Sequence, residues 1–442
     1  MKNIILQSLQ DKDFAELFRK SGVSFLLRIL GQILGFALTF IIAHYFGASG
    51  LGDYVLAIIV LRVFTLFSKL GMDTASIRFI AAFASQNKFK SIIYFRRKLV
   101  VLLMLLSLLF SCIMYFNAEW ISVFIGARES FIQLNSFLVL PMAFFILHYQ
   151  SLRGLKKIAE FSFFFRVSET LFTIISILVI MQFVTSDYVP IYGYVSSICI
   201  VSFLSFLSYT YWFNIKSKSQ KNEQIDVLPL KKILHVSIPL MFAQSVQFIM
   251  AWTDKIMLGS MMTAEYVGIY HIAFKLSMFA SITLMAVNSI ASPKFAELYA
   301  NNDIKTLKKV VSQSTKLIFW SSIPLVILFF SFPSFFLGIF GAEFKVATLA
   351  FLILSSAKLI SALCGSVGNL LQMTGEQLLY MKILSAGAIL NVVINYLLIP
   401  IYGINGAAIA SLFSMSFWNV SMVYFVQKKL GILTLYIPFI KR

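Results

Sequence analysis

The chain has 442 residues, of which 59% are hydrophobic and 12% are charged, and its mean hydropathy is +0.87. This composition leaves too little polar surface for a water-soluble globule, so it predicts an integral membrane protein. The formal net charge of +19 does not indicate a nucleic-acid-binding protein, because the Lys and Arg residues lie mainly in short loops between apolar runs and not in one soluble domain.

Apolar runs of about 20 residues are long enough to cross a bilayer core as helices. We find twelve such runs, and they predict an all-α membrane protein with twelve transmembrane helices. The runs cover residues 21–46, 54–82, 99–116, 131–150, 161–184, 190–213, 232–258, 266–291, 311–337, 346–373, 376–399 and 403–427.

The loops between these runs differ in charge. Those after the even-numbered runs are rich in Lys and Arg, whereas those after the odd-numbered runs hold only Arg128 and Lys345. Because cytoplasmic loops carry the excess of positive charge, this pattern predicts that both chain termini are cytoplasmic.

Two short patterns each occur twice. The segment LGDYVLA at 51–57 is followed 216 residues later by VGIYHIA at 267–273, and VPIYG at 189–193 is followed 210 residues later by IPIYG at 399–403. An even number of runs separates the copies, so the two halves have the same orientation in the membrane. We therefore predict two parallel, pseudo-symmetric six-helix lobes, 1–214 and 232–442, around a central cavity. A basic cytoplasmic linker at 215–231 joins them.

Several cations fall inside the apolar runs, where each costs roughly 2.5–3.5 kcal/mol near the bilayer centre. Arg28, Arg62 and Lys275 have no carboxylate three or four residues away, so pairing within a helix does not explain them. We predict that they line a water-filled cavity and bind an anionic substrate. Lys358, which is flanked by serines, is a further candidate for this cavity.

Other cations have simpler interpretations. Lys69 has Asp73 at i+4, which favours a local ion pair. Arg78 and Lys255 lie near the ends of their runs, where their side chains are expected to snorkel to the lipid headgroups.

Asp254 and Glu169 are acidic residues inside runs, and a proton or sodium coupling site would need such a group. Asp254 adjoins Lys255, so an interfacial ion pair is an equally good interpretation. No nucleotide-binding loop, nucleophile motif or zinc-ligand spacing is present, so we expect no catalytic residue, no cofactor and no metal.

Four segments carry a family resemblance: FGASGLGDY at 46–54, GMDTASIR at 71–78, Asp254-Lys255, and NVVINYLLIPIYGINGAAIA at 391–410. Over nearly its full length the chain resembles the polysaccharide and O-antigen repeat-unit flippases of the multidrug/oligosaccharidyl-lipid/polysaccharide (MOP) exporter superfamily. The resemblance implies a MATE-like fold with alternating access. It also implies that a glycan linked to polyprenyl diphosphate is moved across the bacterial cytoplasmic membrane for surface polysaccharide synthesis.

The resemblance further implies a monomer that contacts membrane lipids and works beside a polysaccharide polymerase and chain-length machinery. It places the helices that carry Arg28, Arg62 and Lys275 at the interface of the lobes.

Three other classes are weighed against this hypothesis. A multidrug or cation antiporter of the same superfamily would be expected to carry an acidic first span, whereas 21–46 has Arg28 and no carboxylate. A membrane-embedded polysaccharide polymerase or glycosyltransferase would need a sizeable outer loop with clustered charged groups, and the outer loops here are short. A major-facilitator transporter would carry a Gly-Asp-Arg type loop where this chain has QNKFKSIIYFRRK at 86–98.

Overall fold

A computed structural model describes residues 12–217 and 225–436, with side chains described from residue 22 onward. The predicted linker at 215–231 therefore lies partly outside the described residues, at 218–224. The chain forms two compact units: one contains the chain up to Phe46 and Asp53–Ser245, and the other contains Gly47–Gly52 and the chain from Val246. The first half of the helix that follows the linker thus packs with the first unit. The predicted division into parallel lobes at residue 232 stays a prediction.

The first unit is built from apolar helices joined by short turns. They are α1 (Lys12–Ser68), α2 (Met72–Ser85), α3 (Phe89–Phe116), α4 (Ala118–Ile125), α5 (Glu129–Ser136), α6 (Val139–Gly154), α7 (Ile158–Phe163), a π-helical turn (Phe164–Ser168), α8 (Glu169–Ile180), α9 (Val189–Ser217) and the first part of α10 (Leu230–Met261).

The second unit contains the rest of α10, the Gly47–Gly52 segment of α1 and the remaining helices. These are α11 (Ala264–Ser277), α12 (Ile282–Ala300), α13 (Ile304–Ser331), α14 (Pro333–Gly338), α15 (Thr348–Cys364), α16 (Val367–Met373), α17 (Gln377–Tyr402) and α18 (Ile404–Leu430). Short 3₁₀ turns, Met278–Ser281 and Ala342–Ala347, precede α12 and α15.

The described helices confirm the predicted all-α membrane fold. Ten are long and apolar enough to cross a bilayer, or eleven if the bent pair α5 and α6, which meet at 53°, forms one span. The predicted count of twelve differs because runs one and two share the 47-residue stretch Gly22–Ser68. That stretch is interrupted at Gly47, whose φ of 67° is not helical.

A second break lies between α1 and α2, inside the run predicted at 54–82. Leu70 and Gly71 have φ values of 43° and 72°, so the α-helical path ends there and restarts at Met72. A Cβ on Gly71 would lie 2.2 Å from the carbonyl oxygen of Ser237 in α10. Glycine is required here both for its backbone conformation and for the close approach of α10.

Candidate functional site

Arg62 and Glu169 form an ion pair inside the first unit. The Arg62 Nη2 donates to Glu169 Oε1 at 2.7 Å, although the two residues are 107 positions apart in the chain. The side chains are 37% and 25% exposed, so the pair is only partly buried within the protein. The Nε of Arg62 is buried and has no hydrogen-bond partner among the described residues. The structure thus brings a predicted substrate-binding cation together with a predicted ion-coupling carboxylate.

Tyrosines surround this pair. The hydroxyl of Tyr194 on α9 donates to the same Glu169 oxygen at 3.2 Å, and its ring packs edge-on against Tyr54 at a centroid distance of 5.9 Å. Tyr54 and Tyr194 are 6% and 1% exposed. Tyr54 belongs to the first copy of the repeated pattern, so the repeat marks a residue of this site.

A π-helical turn positions Glu169. The turn spans Phe164–Ser168 and ends at the residue before Glu169. π-Turns carry one extra residue per turn and often occur at functional sites. A Cβ on Gly31 of α1 would lie 2.3 Å from the carbonyl oxygen of Arg166 in this turn, so α1 packs closely against it. Arg28, one turn earlier on α1, is half-buried and close enough for its charge to repel that of Arg166.

Asp254, in the second unit, is held by four neutral donors. Its Oδ1 accepts from the amides of Asn391 at 3.1 Å and Asn395 at 2.8 Å. Its Oδ2 accepts from the hydroxyls of Tyr270 at 2.7 Å and Ser411 at 2.5 Å. Tyr270 belongs to the second copy of the repeated pattern and contacts Asp254 directly, whereas Tyr54 of the first copy reaches Glu169 through Tyr194.

The cage around Asp254 follows from local helix geometry. Asn391 and Asn395 lie four residues apart and therefore on one face of α17, and Ser411 projects from the neighbouring α18. The Oδ1 of Asn395 is buried without a hydrogen-bond partner among the described residues. The cage therefore contains a spare oxygen acceptor.

Two lysines of the second unit contact aromatic rings. The Nζ of Lys255 lies 4.6 Å from the ring centre of Trp252 and 4.3 Å from that of Phe274. The Nζ of Lys358 lies 5.2 Å from the same Phe274 ring and 3.8 Å from the Sδ of Met415. Neither lysine has an ion pair with a carboxylate in the described part of the chain.

Lys275 follows Phe274 in sequence and is half-buried on α11. The predicted cations Lys275 and Lys358 both lie in the second unit, and Lys358 contacts the ring of Phe274, the residue before Lys275. Arg28 and Arg62 lie in the first unit. The roles of these four residues in substrate binding stay predictions.

Two interpretations of cations have different outcomes. The ion pair between Lys69 and Asp73 is confirmed, with an Nζ to Oδ2 distance of 2.8 Å, and Gln244 accepts a further hydrogen bond from Lys69. The snorkelling predicted for Lys255 is wrong: the residue is only 3% exposed, because its ammonium packs between aromatic rings inside the unit.

Sequence reasoning also passed over Arg166, which lies in the run predicted at 161–184. A cation in an apolar run was the signal that could have identified it. Within the described residues no group of three or more His, Cys, Asp or Glu side chains is arranged to hold a metal ion.

Chemically, the two units offer different sites. The first has a cation whose charge is balanced by a carboxylate. The second has Lys255 and Lys358, which form no ion pair with a carboxylate of the described residues, beside an Asp254 carboxylate that accepts hydrogen bonds from four neutral groups. Such an arrangement suits an anionic ligand, because buried cations without a counter-ion are costly until an anion arrives.

Comparison with known proteins gives matching family models. The model described as polysaccharide biosynthesis protein matches residues 17–299, and the MatE model matches residues 239–397. The probable low-salt glycan biosynthesis flippase Agl15 of Haloferax volcanii is 26% identical over 183 residues, which is 41% of this chain and 39% of that protein. The chain therefore aligns with about two fifths of the length of this flippase.

Longer similarities are also found. The membrane protein MJ1068 of Methanocaldococcus jannaschii is 25% identical over 83% of this chain and 75% of its own length. The lipid II flippase MurJ in an inward closed conformation matches with a TM-score of 0.71 and 15% identity, over 93% of this chain and 87% of that one. An inward-facing MATE family transporter matches with a TM-score of 0.66 and 14% identity, over 90% and 98% of the two chains. The structural similarities show a MATE-like fold.

Proposed function

The chain belongs to the polysaccharide biosynthesis protein family within the MOP transporter superfamily, and we propose that it flips an oligosaccharide linked to a lipid diphosphate across the membrane. It is a multi-pass membrane protein of a transporter family and not of an enzyme family. The substrate and the membrane in which it acts are parts of the proposal.

The observation that favours an anionic substrate is that Lys255 and Lys358 contact the ring of Phe274 and have no ion pair with a described carboxylate. Lys255 and Lys358 lie in helices that are apolar enough to span a bilayer, and no described carboxylate forms an ion pair with them. Cations within membrane-spanning helices are expensive and are usually retained for a function. A lipid diphosphate supplies the missing negative charge. Lys275, beside Phe274, is proposed as a third phosphate-binding residue.

The glycan part of the substrate rests on the relatives. Agl15 is described as a probable flippase of glycan biosynthesis, and AglR of the same organism as a probable flippase. A multidrug antiporter with the same fold is the alternative. It is disfavoured because a cationic drug would be repelled by Lys255, Lys275 and Lys358.

Binding of a fluorescent polyprenyl diphosphate to the purified protein tests this function. We expect Lys275→Ala and Lys358→Ala each to weaken binding by about ten- to a hundredfold, as for a lost hydrogen bond to a charged group. Lys316→Ala is the matched control, because Lys316 is an exposed cation on α13 of the same unit. Equal affinity of all variants, or equal affinity of the protein for an uncharged polyprenol, would argue against the proposal.

In the first unit, Glu169 acts as a resident counter-ion that substrate phosphate displaces from Arg62. The pair is partly exposed and its hydrogen bond uses only Nη2 of Arg62, so an incoming phosphate can accept hydrogen bonds from the guanidinium before Glu169 leaves. Displacement would free a carboxylate inside the unit each time substrate binds. Glu169 thereby links substrate binding to a change in local charge, which is the role predicted for a coupling residue.

Isothermal titration with inorganic pyrophosphate separates this role from a structural one. Glu169→Gln keeps the shape but removes the competing charge, so affinity should rise about fivefold, the magnitude of a partly exposed ion pair. The double variant Arg62→Ala with Glu169→Gln should show no such rise in affinity, because the cation that binds pyrophosphate is absent. Glu297→Gln, which neutralises the exposed partner of Lys294, is the control and should change nothing. A weaker affinity in Glu169→Gln contradicts the counter-ion role.

Asp254 is the proposed site of the coupling cation. A sodium ion or proton would replace the hydrogen bonds at the carboxylate, and rotation of the Asn391 and Asn395 amides would turn oxygen acceptors toward it. The unpaired Oδ1 of Asn395 is consistent with this exchange. Sodium should therefore protect the wild-type protein, but not Asp254→Asn, against thermal unfolding. If sodium protected both the wild-type protein and Asp254→Asn, Asp254 would not be the site of the coupling cation.

The setting of the protein is proposed with its function. A flippase for a surface polysaccharide such as O-antigen would work by alternating access in the bacterial cytoplasmic membrane, with both termini in the cytoplasm. It would act as a monomer beside a polysaccharide polymerase and chain-length machinery.

A further inference from the structure

An amphipathic groove runs along α3 on the first unit, away from the residues discussed above. It has a volume of about 520 Å³, and one helical stripe lines most of it. Arg97 and Lys98 lie at one end, followed by Val101, Leu102 and Leu105 at intervals of three or four residues. The groove is therefore cationic at one end and apolar along the rest of its length.

A second element closes the groove. Leu230, the first residue of α10, lines it opposite α3. The segment before α10 is fixed to α3 by two hydrogen bonds: Lys98 Nζ donates to the Leu228 carbonyl at 2.8 Å, and the Asp226 amide donates to Ser91 Oγ at 2.9 Å. The groove is thus a built feature between two anchored elements.

The charge at the cationic end is not neutralised. Arg97 is exposed and has no ion pair with a carboxylate of the described chain. Lys98 uses one of its three N–H groups on Leu228, so two remain available. The nearby Asp226 already pairs with Lys88 at 2.5 Å. Two cations are therefore left to face an anionic group.

The length of the groove matches one leaflet. Tyr94, the outermost lining residue on the cationic side, and Leu105 are eleven residues apart, or about 16 Å along the helix axis. This is about half of a 30 Å hydrocarbon core. A single acyl chain of a phospholipid extends over this depth, whereas a long polyprenyl chain would extend well beyond it.

We propose that this groove binds an anionic phospholipid of the surrounding bilayer. Its phosphate lies between Arg97 and Lys98, and one acyl chain packs along Val101 and Leu105 against Leu230. Basic pockets between transmembrane helices bind anionic headgroups in this way. The bound lipid reinforces the contact of α3 with the start of α10, and this role does not depend on what the protein transports.

Native mass spectrometry of the purified full-length protein with phosphatidylglycerol tests the site. We expect one tightly retained phosphatidylglycerol and no equivalent retention of phosphatidylcholine. Arg97→Gln, which breaks no described hydrogen bond, should weaken retention severalfold, and Arg97→Gln with Lys98→Gln about tenfold or more. The control is Lys308→Gln with Lys309→Gln, which removes two exposed cations from the start of α13 and should retain the lipid fully.

Leu105→Trp tests the apolar part of the groove. The larger side chain should fill the acyl-chain path and reduce phosphatidylglycerol retention while Arg97 and Lys98 are unchanged. Equal retention by the wild-type protein and the charge variants would overturn the proposal. Equal binding of free glycerol phosphate would also overturn it, because the groove would then be an anion site only. Displacement of the lipid by an equimolar polyprenyl phosphate would overturn it as well, because the groove would then belong to the transported substrate.

Discussion

Removing one member of the buried pair of Lys69 and Asp73 should destabilise the protein more than removing one member of an exposed pair. The side chains of Lys69 and Asp73 are only 10% and 5% exposed, and Gln244 contacts both. Removing one member leaves an uncompensated buried charge, which costs about 3–5 kcal/mol. Asp73→Ala should therefore lower the thermal unfolding temperature of the detergent-purified protein sharply.

Two further variants distinguish a lost ion pair from lost packing. The double replacement Lys69→Met with Asp73→Leu should recover most of the stability, because no isolated charge remains. Glu297→Ala breaks the exposed pair with Lys294, whose side chains are 55% and 46% exposed, and should cost less than about 1 kcal/mol. A double variant as unstable as Asp73→Ala would show that the charge is not the cause.

The sequence predicts single residues only where the partner is close along the chain. Asp73 lies at i+4 from Lys69, so their pair could be foreseen from helix geometry. Glu169 lies 107 residues from Arg62, and no local pattern joins them. The burial of Lys255 also escaped prediction, because distance from the end of an apolar run does not show which face of the helix packs inside the unit.

At the scale of elements, the break between α1 and α2 makes a distinct prediction. Gly71 has a φ of 72°, and a Cβ there would lie 2.2 Å from the Ser237 carbonyl oxygen. Gly71→Ala should push α10 away and markedly lower the thermal unfolding temperature. Gly22→Ala on α1, where no atom lies within 4 Å of the added Cβ, should be neutral or slightly stabilising. Equal stability of the two variants would contradict the close packing.

Hydropathy predicts where the helices are but not how they are interrupted. Each predicted run overlaps described helix, because 20 apolar residues in a bilayer must satisfy their backbone groups internally. The breaks at Gly47 and at Leu70 and Gly71 involve apolar or small residues that do not alter hydropathy, and the one charged residue of the π-turn at Phe164–Ser168, Arg166, does not indicate a change of helix type. Tertiary contacts such as that of Gly71 with α10 decide these local conformations.

At the scale of the whole molecule, the charge pattern predicts orientation. With Cys112, Cys199 and Cys364 replaced by Ser, Ser217→Cys and Ala342→Cys each provide one target for an impermeant maleimide. Ala342→Cys should be labelled from outside intact cells, and Ser217→Cys only after the membrane is opened. Labelling of Ser217→Cys from outside intact cells would show that the predicted topology is wrong.

The internal repeat predicts more than orientation. Its two tyrosines, Tyr54 and Tyr270, are 6% and 0% exposed and lie beside the carboxylates Glu169 and Asp254 in separate units. The repeat could therefore indicate the neighbourhood of both sites. It could not show that one carboxylate pairs with an arginine while the other is held by neutral donors, because those partners come from helices distant in sequence.

We propose above that the protein moves an anionic lipid-linked glycan across a bilayer. The most direct test is a proteoliposome assay with a fluorescent polyprenyl diphosphate oligosaccharide, in which an impermeant quencher reports the outer-leaflet fraction over time. We expect rapid quenching beyond the outer-leaflet half with wild-type protein, and quenching of only that half with the double variant Arg62→Ala and Lys275→Ala. Wild-type liposomes that behave like protein-free ones, or a double variant that flips at the wild-type rate, would contradict it.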